Sequence, residues 1–577
     1  MKKLKVLTGI FVLLCLAMAG ETPLGYPDQP VRYFKAQQRV FAEQANELKA
    51  AVEKLDEHDP GTVEQAKEAL KACRISYKRI SFFLEYFFQS EAYVFNTPAK
   101  YEVEEPYIEY EEPVGLQQIE ALLFDKEAVF ASKDALIQQA DIVASTAAGL
   151  PALLYNFKAT DAQVVESMQL EMIRIMSLYI TGYDAPSLQC GIPEAAAAMD
   201  ALSTVVGIDS VQQAMVKAAA YLHQHPDYNN FDRLTFITDY AMPVQRMLAG
   251  MTAMRSVRAL NTTTIFGHPD PFKKETFTQG ADITLDGRGD ILRDMDTALP
   301  TIGYDTALGR KLFFEKALSG NGQRSCATCH QPNRQFTDGV ARNTSLLGGQ
   351  LPRNTPSLLY ACYQYAQFWD GRARSLEDQV DSVLHSPAEM GATNASIEKY
   401  MPKRKVVRAL AAYIRTLTPF NSPFDHYLRG DRTAMTTLQK QGFNIFMGKA
   451  RCGSCHFAPL FNGLTPPLFN RTEFEILGTP LNSDLQHPVA DPDRGRIAVY
   501  PVTFYEGAFK TPTVRNAAVT GPYMHHGNFS TMQQVIDFYN QGGSMPVVHQ
   551  TLSTDTLGLD KAEQQALISF IDALTDQ

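Results

Sequence analysis

Apolar positions in the first 260 residues recur at steps of three and four. Phe34, Phe41, Leu48, Val52 and Leu55 follow such a spacing. So do Val63, Ala66, Leu70, Cys73, Tyr77, Ile80, Leu84 and Phe87, which places them on one face of a helix. Thr62 with Gln65 predicts a capping box at the start of that helix. The pattern predicts further helices near 162–182, 208–224 and 230–260, punctuated by Pro60, Pro151 and Pro226. Strand-like alternation is scarce. The spacing therefore predicts a mainly α fold with a helical bundle over residues 20–260. From Asn261 to Asp290 the chain turns rich in Thr, Gly, Asp and Pro without a period, so residues 261–299 read as a linker. Beyond residue 300 loops become more frequent.

Composition narrows the picture. The 577 residues are 45% hydrophobic and 20% charged, which is the balance of a globular chain. The formal net charge is −10 and no long basic run occurs, so nucleic acid is excluded as a partner. Residues 1–19 read as a signal peptide. Lys2, Lys3 and Lys5 precede an apolar run from Val6 to Ala19, and Ala17-Met18-Ala19 fits a cleavage site before Gly20. Leu14 stands before Cys15 where a lipid anchor wants a small residue, which argues against lipidation. The expected location is the periplasm.

Export changes how the cysteines read. Cys73, Cys190 and Cys362 read as small buried hydrophobes, with a Cys73–Cys190 disulfide as the alternative that an oxidising compartment allows. The other four form Cys326-Ala-Thr-Cys329-His330 and Cys452-Gly-Ser-Cys455-His456. Two thiols separated by two residues can both add to the vinyl groups on one edge of a porphyrin. The adjacent histidine then ligates the iron. A zinc ribbon would need its two pairs about 15–20 residues apart. A thioredoxin-like pair would need a βαβ setting. The motifs therefore predict two covalently bound c-type haems.

The segments LGRKLFFEKALSGNGQRSCATCH, FWDGRARSLEDQV and FKTPTVRNAAVTGPYMHHG resemble the bacterial di-haem cytochrome c peroxidases and their MauG-type relatives, in the expected order over residues 300–577. The resemblance implies two cytochrome-c-like haem domains, a peroxidatic one at 300–434 and an electron-transfer one at 435–577. It implies His330 and His456 as proximal ligands. Glu389 falls at the position of the proton-moving carboxylate and Gln379 at that of a distal amide. Trp369, the only tryptophan, would alone read as a core aromatic; the family places it between the haems as a relay. Arg372 matches a partner for a haem propionate. The count of seventeen from Pro522 lands on Tyr539, where ordinary peroxidases carry a methionine ligand and MauG-type proteins a tyrosine. Met524, Met532 and Met545 are the alternatives to it. The stretch from Thr337 to Arg353 lacks the loop histidine that blocks the first haem in many of these peroxidases, so the resemblance implies an open site. It also implies a calcium ion held by Asn354, Thr520 and Pro522, the last two through backbone carbonyls. His525 and His526 read as structure around the second haem and not as a zinc site.

The bundle resembles imelysin-like helical domains at YKRISFFLEYFF and EPVGLQQIEALLF. That family's Gly-x-His-x-x-Glu motif reads Gly115, Gln117 and Glu120 here, and a glutamine is a poor metal ligand. The bundle therefore reads as a docking or scaffold domain. Taken together, the resemblance implies an oxidoreductase that reduces hydrogen peroxide with electrons from a small redox protein, a cytochrome c or a copper protein. It leaves a homodimer open. The alternatives are a MauG-type oxidase that modifies a partner protein through high-valent iron, and a non-enzymatic electron carrier or peroxide sensor.

Overall fold

The computed structural model describes residues 28–104, 109–253, 306–545, 547–553 and 555–577. The segment read as a signal peptide and the linker 261–299 lie outside them. Among the described residues the chain is mainly α, with two short two-stranded antiparallel sheets pairing Glu102–Glu104 with Glu109–Glu111 and Phe474–Ile476 with Ala508–Lys510. No helix among them is long and apolar enough to cross a membrane.

The bundle forms where the spacing predicts it. Helix Asp28–Glu53 buries Phe34, Phe41, Leu48 and Val52, and helix Gly61–Lys78 buries Ala66, Leu70, Cys73 and Tyr77. The predicted single helix through Phe87 breaks after Lys78 and resumes as Ser81–Phe87. The predicted capping box at Thr62 does not form. Pro60 is the N-cap, and the Thr62 hydroxyl donates instead to the Asp59 carbonyl at 2.7 Å. Short π-helical turns at Ile175–Tyr179 and Phe236–Ala241 interrupt the predicted helices. Helix Gly191–Val205 carries no readable period because it is alanine-rich and buried almost all round. Gly191 lets it approach closely: a Cβ there would stand 2.0 Å from the Tyr179 carbonyl oxygen.

Two apolar clusters organise the molecule. One runs from Phe34 through the bundle into Phe424–Leu574, so the bundle and the C-terminal part of the chain share a core. The other gathers Leu312 to Phe420 with Leu460, Leu464 and Phe469 and with Tyr86, Leu170 and Ile173 of the bundle. Polar contacts reinforce the bundle's seat. Asn444 accepts from the Leu234 amide at 3.0 Å and donates to Asp232 at 2.9 Å, and Tyr101 stacks on Phe504 with centroids 3.8 Å apart.

Arg515, fully buried, anchors the C-terminal core. Its Nη atoms donate to both Asp425 oxygens at 2.9 and 2.8 Å, and Nε donates to the Pro459 carbonyl. Burial pushes the Asp425 carboxyl up, but the guanidinium outweighs it and holds it below its ordinary value. Asp425→Asn should therefore destabilise the fold by about 3–5 kcal/mol, because it strands a buried cation. The sign of the pH dependence follows. The carboxylate's contribution is full above about pH 3.9, the unfolded value, and is lost as pH falls through the lower folded value. Chemical denaturation should show the variant's deficit at neutral pH and its disappearance in acid.

Candidate functional site

Each Cys-x-x-Cys-His motif occupies one tight turn. Ser325 and Thr328 cap each other to open the single helical turn Cys326–Cys329, and the His330 amide closes it on the Cys326 carbonyl at 2.9 Å. Gln335 and Phe336 take left-handed backbone conformations. The return they make brings the Phe336 carbonyl to 3.0 Å from His330 Nδ1. The second motif opens on a left-handed Arg451 and forms a 3-10 turn over Cys452–Ser454. His456 Nδ1 lies 3.2 Å from the Phe461 carbonyl and 3.0 Å from that of Pro512.

These contacts settle each imidazole's chemistry. A carbonyl only accepts, so Nδ1 carries the proton and Nε2 keeps its lone pair. Burial favours the neutral ring, lowering His330 and pushing His456 down to about 4. A neutral imidazole oriented through Nδ1 is a prepared metal ligand. Neither pair is closed by a disulfide, and burial pushes the Cys326 and Cys452 thiols up to about 12, opposite to the lowered value that an exchange dithiol needs. The donor set on each turn therefore fits a c-type haem.

Both turns open on one cavity of about 1570 Å³, larger than the roughly 300–1,000 Å³ of an ordinary ligand pocket. Its wall contains both histidines and all four motif cysteines, together with Glu389, Gln379, Trp369, Arg372, Tyr539, Asn354, Thr520 and Pro522. The residues singled out in the sequence are thus brought together, although they span more than two hundred positions.

Glu389 sits in the turn after helix Leu376–His385, which carries Gln379. It faces the first motif: burial, Asp338 and Glu389 together raise the Cys329 thiol to about 11 against the pull of Arg324. Trp369 donates its indole N–H to the Asn354 carbonyl at 3.0 Å and stands edge-on to His525. Arg372 is already engaged: Nη1 donates to both Asp370 oxygens at 2.9 Å and the guanidinium stacks on Phe368. Asn354 donates its side-chain amide to the Val340 and Ala341 carbonyls, which orients its Oδ1 for other use.

Tyr539, on helix Met532–Asn540, faces the second motif. Burial and then Cys455 and Cys452 raise its phenol well above the usual range. Met524, Met532 and Met545 line the same cavity. The His-free stretch contributes Arg342 and Leu351–Arg353 to the wall. His525 pairs with Asp491 and approaches His526 Nδ1 at 3.1 Å. In the bundle, Gln117 is tied to Asn96, while Glu120 takes the Ser187 and Leu188 amides at 2.7 and 3.0 Å. Both amides bond to Oε1; Oε2 faces the Arg74 guanidinium at 3.9 Å.

Other wall residues have no periodic or motif signal of their own. Lys510 is buried on strand Ala508–Lys510; its Nζ donates to Gln364, and burial pushes the amine down to about 7. Arg324 reaches the Thr344 carbonyl at 2.7 Å and the Ala388 carbonyl at 3.4 Å, pinning the Glu389 turn. Beside Cys455, Lys100 of the bundle pairs with Glu473, and Tyr183 donates to the same carboxylate at 3.4 Å.

The chain is similar to known proteins over about half of its length. Residues 304–405 match the family model described as di-haem cytochrome c peroxidase. The chain is 33% identical over 299 residues to the methylamine utilization protein MauG of Methylorubrum extorquens, spanning 48% of this chain and 80% of that protein. It is 34% identical over 314 residues to the cytochrome-c peroxidase IdrP1 of a Pseudomonas species, spanning 48% and 82%. Among solved structures, a MauG-like protein associated with microbial copper homeostasis shares 28% identity over 47% of this chain and 89% of its own, with a TM-score of 0.41.

Proposed function

The chain belongs to the di-haem cytochrome c peroxidase and MauG family, and on that premise we propose how its residues divide the work of reducing hydrogen peroxide. It is an oxidoreductase, a cytochrome-c peroxidase acting on peroxide. The carrying observation is a single cavity walled by two Cys-x-x-Cys-His turns, one facing a carboxylate and the other a phenol.

Reducing peroxide to water takes two electrons and two protons. Haem bound at the two turns would supply the redox-active iron and the position where peroxide binds. His330 and His456, fixed through Nδ1 by the carbonyls of Phe336, Phe461 and Pro512, would offer Nε2 to it. At the first site, Glu389 accepts a proton from one peroxide oxygen and returns it to the other, which makes the departing oxygen a neutral water. Gln379 orients the peroxide through its amide. Arg324 keeps the Glu389 turn in place. Trp369, fixed by its N–H on Asn354, passes electrons between the two sites. Tyr539 would offer its phenol oxygen to the haem held at the His456 site. Lys510, a buried amine, and Arg372, stacked on Phe368, are cations of the cavity wall that would pair with porphyrin carboxylates. Asn354, Thr520 and Pro522 would supply neutral oxygens to a calcium ion. The mature protein works in the periplasm and takes electrons from a cytochrome c or a copper protein.

Tyr539 favours a second reading, a MauG-type oxidation of a bound partner protein. Steady-state peroxide consumption separates the two. Rapid turnover on adding a reduced small cytochrome c or copper protein supports the peroxidase. Peroxide-driven oxidation confined to one protein target, with no donor-supported turnover, would replace it.

A further inference from the structure

We propose that Tyr183, Tyr179 and Tyr77 form a route carrying oxidising equivalents from the second Cys-x-x-Cys-His site into the N-terminal bundle, and this rests on the peroxidase reading above. The route begins where the bundle touches that site. Thr181 Cγ2 lies 3.4 Å from where a Cβ on Gly453 would stand. The Tyr183 ring stands edge-on to Phe457, the residue after His456, with centroids 5.4 Å apart.

Each tyrosine is hydrogen-bonded to a carboxylate that is paired with a cation. Tyr183 donates to Glu473 Oε1 at 3.4 Å, and Lys100 pairs with Glu473. Tyr179, at the end of the π-helical turn, donates to Glu171 Oε1 at 2.9 Å, and Arg174 reaches Glu171 at 3.0 Å. Tyr77 donates to Glu85 Oε1 at 3.0 Å, and the same Arg174 reaches Glu85 at 2.6 Å. Lys78 Nζ sits between the last two rings, 3.8 Å from the centroid of Tyr179 and 5.5 Å from that of Tyr77. Both rings are fully buried, so water cannot take their protons.

That arrangement matches what oxidising a phenol requires. Removing one electron makes the hydroxyl strongly acidic, so its proton must leave in the same event. Here the electron passes to the peroxide-oxidised centre, the O–H bond breaks, and the proton moves to the bonded carboxylate. The products are a neutral tyrosyl radical, a carboxylic acid and a centre reduced by one electron. The radical advances when the next tyrosine loses an electron to it and its own proton to its own carboxylate, while the first tyrosine recovers its proton from the carboxylic acid. Peroxide, consumed by the established activity, is the oxidant. Burial alone would ask only that each hydroxyl have some acceptor. It does not ask that three in succession, beginning against Phe457, meet carboxylates each set on a cation.

The test uses the full-length, haem-loaded protein, mixed with hydrogen peroxide without a donor and freeze-quenched for electron paramagnetic resonance. A tyrosyl signal that narrows on ring deuteration of tyrosine is expected. Tyr183→Phe and, separately, Glu473→Gln should each lose most of it while leaving donor-supported peroxide consumption unchanged. Tyr77→Phe with Tyr179→Phe should leave a signal of different line shape, confined to Tyr183. An undiminished signal in Tyr183→Phe overturns the route. So does the absence of any tyrosyl signal in a protein that still consumes peroxide, and that result leaves the peroxidase reading standing. A protein that consumes no peroxide removes both.

Discussion

Glu389→Gln is expected to slow steady-state peroxide consumption about 10²–10⁴-fold, the usual contribution of a positioned general acid–base group. The amide keeps the shape of the side chain but can no longer shuttle a proton between the two oxygens. The loss should fall on turnover and not on assembly. The Glu389 turn is held through backbone atoms, by the Ser386 carbonyl at 3.1 Å and by Arg324 on the carbonyls of Ala388 and Glu389. Both haems should therefore remain attached, and the absorption spectrum of the resting protein should change little. Stopped-flow mixing with peroxide reads the rate directly. An unchanged rate in a fully loaded variant would remove Glu389 from the proton path and leave the cavity without an assigned carboxylate at its first site.

Tyr539→Met carries the second large effect. A phenolate oxygen stabilises ferric iron more than a thioether does, so the exchange should raise the potential of the second haem. The rise should be on the order of tenths of a volt, within the roughly 0.8 V that axial ligands span. Helix Met532–Asn540 is secured by its Thr531–Gln534 capping box and by buried Ile536 and Phe538, so the substitution changes the ligand and not the fold. Spectroelectrochemical titration reads the shift. A potential that does not move would assign the ligand to Met524, Met532 or Met545, which share the cavity wall.

How much of this the sequence could carry depends on how local the signal is. A Cys-x-x-Cys-His motif is complete within five residues, so its chemistry is legible without knowing the fold. Helix Asp28–Glu53 is legible for the same reason, its period being written in large side chains such as Phe34 and Phe41. Helix Gly191–Val205 is not, since alanine on every face gives no period. The cap at Thr62 shows a competition that spacing does not see: the hydroxyl donates to the Asp59 carbonyl and accepts from the Asp56 amide, both in the preceding turn, and not from an amide of its own helix. Glu389, Trp369 and Tyr539 are ordinary residues until a family pattern or a cavity wall gathers them. Lys510, Lys100 and Tyr183 acquire meaning only from distant partners, Gln364 for the first and Glu473 for the other two. The bundle, which reads as a scaffold, presses Thr181, Tyr183 and Pro186 against the second site.

Every role assigned above depends on porphyrin being bonded to both cysteine pairs. Intact-mass spectrometry of the mature protein under denaturing conditions addresses that point most directly, because only a covalent group survives unfolding. Two haem masses per chain are expected, falling to one when Cys326 and Cys329 are both replaced by serine. A chain that flies without attached haem, or with only one before any substitution, would contradict the account.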